Sequence, residues 1–161
     1  MLSMAPAEAA HLHKAFIEDV AKFKAPERLD TLLQLLALSG EEIVQPSERG
    51  RYDLNPFLIP ISRDKENRLT CYLRWPTQKD SMDLQIVQTT EVGVRLRAQN
   101  TDQLARRIVA EEDFLSLPRA QEAADILAQG GLKYTLGEFI PFLKSGVQSL
   151  YRQETYLDRE V

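Results

Sequence analysis

Three groups of side chains in this chain have the types and spacing to do chemistry. The densest acidic run is Glu111-Glu112-Asp113. Clustered carboxylates can act as general acid and base or hold a divalent cation. They can equally be the wet end of a helix, paired with Arg106 and Arg107 one turn back. His11 and His13 are the two histidines. Residues two apart on a helix point in different directions, so this pair cannot chelate a metal as an i, i+4 pair does. It reads as part of a solvated helix face. Histidine-dependent catalysis would have to use one of the two near the N-terminus, which weighs against an enzyme. The third group is basic and partly aromatic: Arg68, Tyr72, Arg74, Trp75, Arg95 and Arg97. Guanidinium forks match carboxylates and phosphates, and Trp, Tyr and Arg dominate the energetics of protein interfaces. Trp75, the single tryptophan, either plugs the edge of the core or anchors a partner beside Arg74.

Other chemistry lacks its motif. No glycine-rich phosphate loop follows a strand and opens a helix, and no serine sits in a nucleophile elbow. The single cysteine, Cys71, excludes an internal disulfide and falls among apolar strand positions, where a thiol behaves as a small hydrophobe. No cofactor and no metal site is expected.

The elements that must position the basic group come from periodicity. Between residues 57 and 98 apolar and polar side chains alternate. Arg68-Leu69-Thr70-Cys71-Tyr72-Leu73-Arg74-Trp75 is apolar at every odd position, and Val92-Gly93-Val94-Arg95-Leu96-Arg97-Ala98 has its apolar side chains at the even ones. Such a pattern describes strands with one buried and one wet face. Four strands are expected, at 57–61, 68–75, 83–89 and 92–98, joined by short turns into an antiparallel meander. Pro60 cannot donate to a ladder, which points to an edge position for the first strand. Asp64 to Asn67 form a hairpin turn.

Helices flank the sheet in sequence. Ala9, Leu12, Phe16, Val20 and Phe23 make one stripe of a helix over 6–24. Pro26 opens a leucine-rich second helix that Gly40 closes; its wide stripe is either core or an interface. The long 41–56 segment reads as a loop of the kind that often carries function. After the sheet, Asn100 or Thr101 caps a helix with Leu104, Ile108 and Val109 inward. Pro118 opens another, ended by Gly130-Gly131. Thr135 and Glu138 have capping-box spacing before a final helix with Leu143, Val147, Leu150 and Leu157. The expected architecture is α+β in two layers: one domain over 1–161, with a helical hairpin at 1–40, the sheet at 57–98 and helices at 100–158. The helices should cover the Leu69/Cys71/Leu73/Trp75 face and leave the arginine face open, because burying unpaired guanidinium groups costs several kcal/mol each.

Composition limits the partners. The net charge is −4 over 161 residues, which disfavours nucleic acid as the main partner. Residues 57–99 nevertheless carry seven basic against five acidic side chains. No apolar run is long enough to span a bilayer, and the N-terminus lacks the pattern of a signal peptide. A cytoplasmic location is expected, or the plastid stroma if a transit peptide has been removed.

Two strings, Leu73-Arg74-Trp75-Pro76-Thr77 and Ala105-Arg106-Arg107-Ile108-Val109-Ala110-Glu111-Glu112-Asp113-Phe114, resemble segments of small, little-characterised soluble proteins of cyanobacteria and plastids. The resemblance implies a stromal or cytoplasmic auxiliary protein of photosynthetic-complex assembly and carries over no site residue. Association with a peripheral membrane complex is a further expectation for its partners. Taken with the residues, the expected function is non-enzymatic binding of an acidic or amphipathic segment of another protein on the open sheet face. The competing expectation is an enzyme or ligand sensor with a pocket between sheet and helices at Glu111, Glu112 and Asp113. A third makes the leucine-rich helix the interface of a stable complex.

Overall fold

A computed structural model of the chain describes residues 5–52, 54, 56–74, 84–114 and 118–132. Two helices, α1 (Pro6–Ala15) and α2 (Leu29–Leu38), precede five strands: β1 (Glu42–Ile43), β2 (Leu58–Arg63), β3 (Leu69–Leu73), β4 (Gln85–Thr90) and β5 (Gly93–Ala98). Helices α3 (Thr101–Phe114) and α4 (Ala120–Gln129) follow. The strands form one antiparallel sheet in sequence order. The α+β class and the meander agree with the sequence reading. The added strand, β1, comes from the segment read as loop. The Trp75–Pro76–Thr77 string, the Thr135 capping box and the final helix lie outside the described residues.

The first helix departs from its expected stripe. After Ala15 the chain makes a π turn over Phe16–Val20 and then a left-handed residue, Lys22, at φ 58°. Each π turn inserts one residue into the helical repeat, so the stripe that counted on a regular helix misses. Ala9, Ala10, His13 and Ile17 are buried, whereas Leu12 and Val20 are exposed. His13 is therefore not on a solvated face. Its Nε2–H donates to the Val44 carbonyl at 2.6 Å, since a carbonyl can only accept.

The leucine-rich helix is core. Leu29, Leu32, Leu33, Leu35 and Leu36 are all buried between α1, α3, α4 and the sheet, and this overturns the interface reading. Gly40 ends α2 at φ 100°, with Gly40 N–H donating to Ala37 and Glu41 N–H to Leu36. That paired pattern is a Schellman turn, which a glycine permits because it has no Cβ. At α3 the cap is Asn100, whose Oδ1 accepts from the Gln103 N–H at 2.8 Å. Thr101 is left free to bond elsewhere.

Both sheet faces are covered, and the helices lie on the side opposite to the expected one. Ile59, Ile61, Tyr72, Ile86 and Ala98 pack against the helices. Leu58, Leu69, Cys71 and Val87 instead join Val44, and Tyr52 and Leu54 pack over them. Tyr52 ends a 3₁₀ segment, Pro46–Tyr52. The long connection is thus a covering layer. Two bulges shape the sheet, one between Pro60 and Ser62 on β2 and one opposite Ile86 and Val87 on β5. Each inserts one residue, so Ile61 and Ser62, and likewise Arg97 and Ala98, turn toward the helix side together. Pro60 is not on an edge strand. It sits one residue past the stretch that the two-residue β1 reaches, where no ladder donor is required.

Candidate functional site

Register aligns one polar residue from each of four strands. Ser62 faces Thr70, Thr70 faces Gln88, and Gln88 faces Arg95. The next row toward the helices is Ile59, Tyr72, Ile86 and Ala98. One face thus passes from an apolar half, under the helices, to a polar half beyond them. Ser62, Thr70 and Gln88 are buried, so each must find a partner. They find it in side chains that lie across them.

Glu41 and Arg97 form that lid. The Schellman turn at Gly40 aims Glu41 over the sheet, and the β5 bulge aims Arg97 to meet it. Arg97 Nη2 donates to Glu41 Oε2 at 2.8 Å, and Nη1 to Glu41 Oε1 at 3.2 Å and to Thr70 Oγ1. Ser62 Oγ donates to Glu41 Oε1 at 2.8 Å. The two side chains are only 18% and 10% exposed. A bidentate pair with this little water is a structural pair. Arg107 on α3 ties it down by donating to the Arg97 carbonyl.

Arg68 is also neutralised. Asp64 in the hairpin accepts from the Arg68 and Glu66 N–H groups and from Arg68 Nε, each at 2.9 Å. Partial burial raises the Asp64 pKa, but these donors outweigh it and hold the carboxyl below its usual range. Gln88 Nε2 reaches the same carboxylate at 3.5 Å, linking the hairpin to the polar row.

Arg95 differs. Its Nε and Nη2 donate to Gln88 Oε1 at 3.1 and 2.6 Å, a neutral acceptor. No carboxylate pairs with it among the described residues, and the residue is exposed. Arg74, at the other end of the sheet, stacks its guanidinium 5.6 Å from the centroid of the Phe23 ring. Its buried Nε has no acceptor among the described residues. These two arginines carry charge that nothing described offsets.

The six residues singled out in sequence therefore separate. Arg68, Arg95 and Arg97 gather at the polar end, with their charge offset in two of the three. Arg74 stands apart. Trp75 is outside the described residues. Tyr72 is fully buried, its hydroxyl bonded to Thr101 Oγ1 at 2.7 Å and its pKa pushed up by burial; it ties the sheet to α3 and touches no solvent. Sequence reasoning missed Glu41, Ser62, Thr70 and Gln88. The available signal was the polar residue at the parity of Tyr72 on β3 (Thr70) and of Ile86 on β4 (Gln88); Ser62 is displaced from its strand's parity by the bulge, and Glu41 lies on the turn after α2.

The acidic run does not converge. Glu111 is exposed. Surrounding protein raises its pKa, with Glu41 and Glu112 adding and Arg97 and Arg107 opposing, but the open side chain lets solvent screen that effect. Glu112 is buried against Arg119, 3.7 Å from its Nε. The side chain of Asp113 is outside the described residues. Between sheet and helices, Tyr72, Ile86, Leu104 and Ile108 are buried and belong to the core. A surface groove of about 350 Å³ lies elsewhere, between α1 and residues 24–30, with His11, Lys14, Lys24, Glu18, Glu27 and Asp30 along it. Its lining mixes both signs of charge. Among the described residues no three His, Cys, Asp or Glu side chains form a metal-binding group, and no helix is long and apolar enough to cross a membrane.

Among the described residues, Arg74 and Arg95 have no carboxylate partner, and the arrangement they make suits protein binding rather than metal binding. The family model described as PAB N-terminal matches residues 11–158. The chain belongs to the PAB N-terminal family. This PAB N-terminal chain is 38% identical over 112 residues to "Protein IN CHLOROPLAST ATPASE BIOGENESIS, chloroplastic" of Arabidopsis thaliana. The match covers 70% of the chain and 33% of the relative, so the chain spans about a third of the length of the curated relative it matches. No solved structure matches it.

Proposed function

We propose that this protein is a non-enzymatic assembly factor that holds a polypeptide during biogenesis of an ATPase complex. The reading draws its process from the name of the Arabidopsis relative and its chemistry from the sheet. The observation that carries it is Arg95: an exposed guanidinium, fixed by Gln88 and lacking a counter-charge among the described residues. An acidic or amphipathic segment of a client supplies that counter-charge. Arg74 offers a second such contact. Arg97 and Arg68, already paired with Glu41 and Asp64, hold the surface in shape. The protein acts in the plastid stroma or the equivalent cytoplasm and meets a complex that is peripheral to a membrane.

The test is deletion of the gene in a phototroph, followed by complementation. Native electrophoresis and immunoblotting measure the assembled ATPase. Deletion lowers its amount; wild type restores it; Arg95→Glu restores it poorly although the variant protein accumulates. Full assembly in the deletion strain would sink the proposal.

A further inference from the structure

We infer that the client is captured by strand addition along the outer edge of β5, as an extended segment of alternating apolar and acidic residues. The inference rests on the assembly reading above and specifies its binding mode. Among the described residues β5 closes one side of the sheet. Thr90 and Gly93 flank a two-residue turn, so they exchange hydrogen bonds across the hairpin. Alternation then directs the N–H and C=O of Arg95 toward β4 and those of Val94 and Leu96 to the free edge. The regular run ends at Arg97, the bulged residue whose carbonyl Arg107 takes, and pairing with β4 resumes at Ala98 opposite Ile86.

Side chains make this edge receptive. Val94 lies opposite Thr89, on the face that carries Leu69, Cys71 and Val87, and is 50% exposed; Leu96, opposite Val87, is half-buried. Val92 in the turn is 98% exposed. The apolar side chains of this face thus continue onto β5 as Val94 and Leu96, and no described element covers Val94 there. Sheets usually defend such an edge with proline, lysine or a covering segment. Gly93–Leu96 has no proline and no lysine. An added strand would extend the ladder, lay apolar side chains beside Val94 and Leu96, and bring every second residue to the Arg95 face. Charge decides the occupant. Acidic residues at those alternate positions meet an arginine whose other contact is an amide. A second copy paired antiparallel about Arg95 would set arginine against arginine, which is unfavourable.

The experiment uses the full chain and three synthetic peptides: alternating valine and glutamate, the same composition with the valines and glutamates in separate blocks, and alternating valine and lysine. Amide hydrogen exchange is followed by NMR. The alternating valine–glutamate peptide slows exchange at Val94 and Leu96 about tenfold or more, and the other two do not. Val94→Pro, which removes an outward donor, abolishes the protection; if that variant fails to fold, Val94→Lys, which keeps the ladder to β4, does the same. Arg95→Glu transfers the preference to the valine–lysine peptide. Unchanged exchange, equal protection by the block peptide, or protection that rises with protein concentration without peptide (pairing of two copies) would each overturn the inference. If exchange is unchanged while Arg95→Glu still impairs ATPase assembly, strand addition falls and the assembly reading stands. Protection by peptide together with full assembly in the deletion strain gives the reverse.

Discussion

Five arginines of the sheet region, alike in composition, do three different things. Arg97 and Arg68 are neutralised by Glu41 and Asp64, Arg74 lies over Phe23, Arg63 pairs with Glu42, and Arg95 faces solvent with an amide. Surroundings, not residue type, set the consequence of removing each. Arg97→Ala leaves the largely buried Glu41 carboxylate without its cation and Thr70 without a donor, and should lower unfolding free energy by about 3 kcal/mol. Arg95→Ala removes the donors to the buried Gln88 Oε1 but strands no charge, and should cost about 1 kcal/mol. Urea denaturation of both variants checks the pair; equal losses would mean that the Glu41–Arg97 lid is not formed in solution. The guanidinium groups were legible in the sequence as a class. Their separation into supports and free charge was not, because Glu41 lies 56 positions from Arg97 and no local pattern links them.

Element boundaries followed sequence where a local backbone rule applied. Gly40 stops α2, Asn100 caps α3, and Asp64 to Asn67 turn the hairpin, each through a bond within a few residues. They failed where one inserted residue altered the count, in the π turn after α1 and in the two bulges. The end of α4 shows how tightly elements meet. A Cβ on Gly130 would stand 2.4 Å from Thr31 Oγ1 and 2.9 Å from its Cγ2 on α2, while Arg28 Nε donates to the Gly130 carbonyl at 2.7 Å. Gly130→Ala should therefore force the two helices apart and cost about 1–3 kcal/mol. Gly130→Ala combined with Thr31→Ala, which removes both Oγ1 and Cγ2, should recover part of that loss in thermal denaturation. No recovery would place the strain elsewhere.

Over the whole molecule, helices and connection enclose the sheet from opposite sides, and His13 sits where the two meet. Burial lowers its pKa to about 4, against a smaller rise from the Val44 carbonyl. The unfolded chain, with an ordinary histidine near 6.5, binds the proton first. Stability is therefore full above about pH 6.5 and declines as pH falls toward 4, by about 3 kcal/mol from this residue alone. Asp64 acts lower: its depressed pKa contributes stability above the ordinary carboxylate range that is lost as pH falls through the folded value. His13→Gln, whose amide can still donate to Val44, should flatten the decline between pH 6.5 and 4 in urea midpoints; an unchanged slope would assign the acid sensitivity to other groups. By itself the sequence determined the class, the meander, most caps and the wealth of basic side chains on the strands, since propensity, alternation and capping act over a few residues. Only the tertiary structure decided which sheet face the helices cover, because alternation states which side chains share a face and not what packs on it. It also decided which arginine keeps a free charge, since that depends on carboxylates delivered from distant turns.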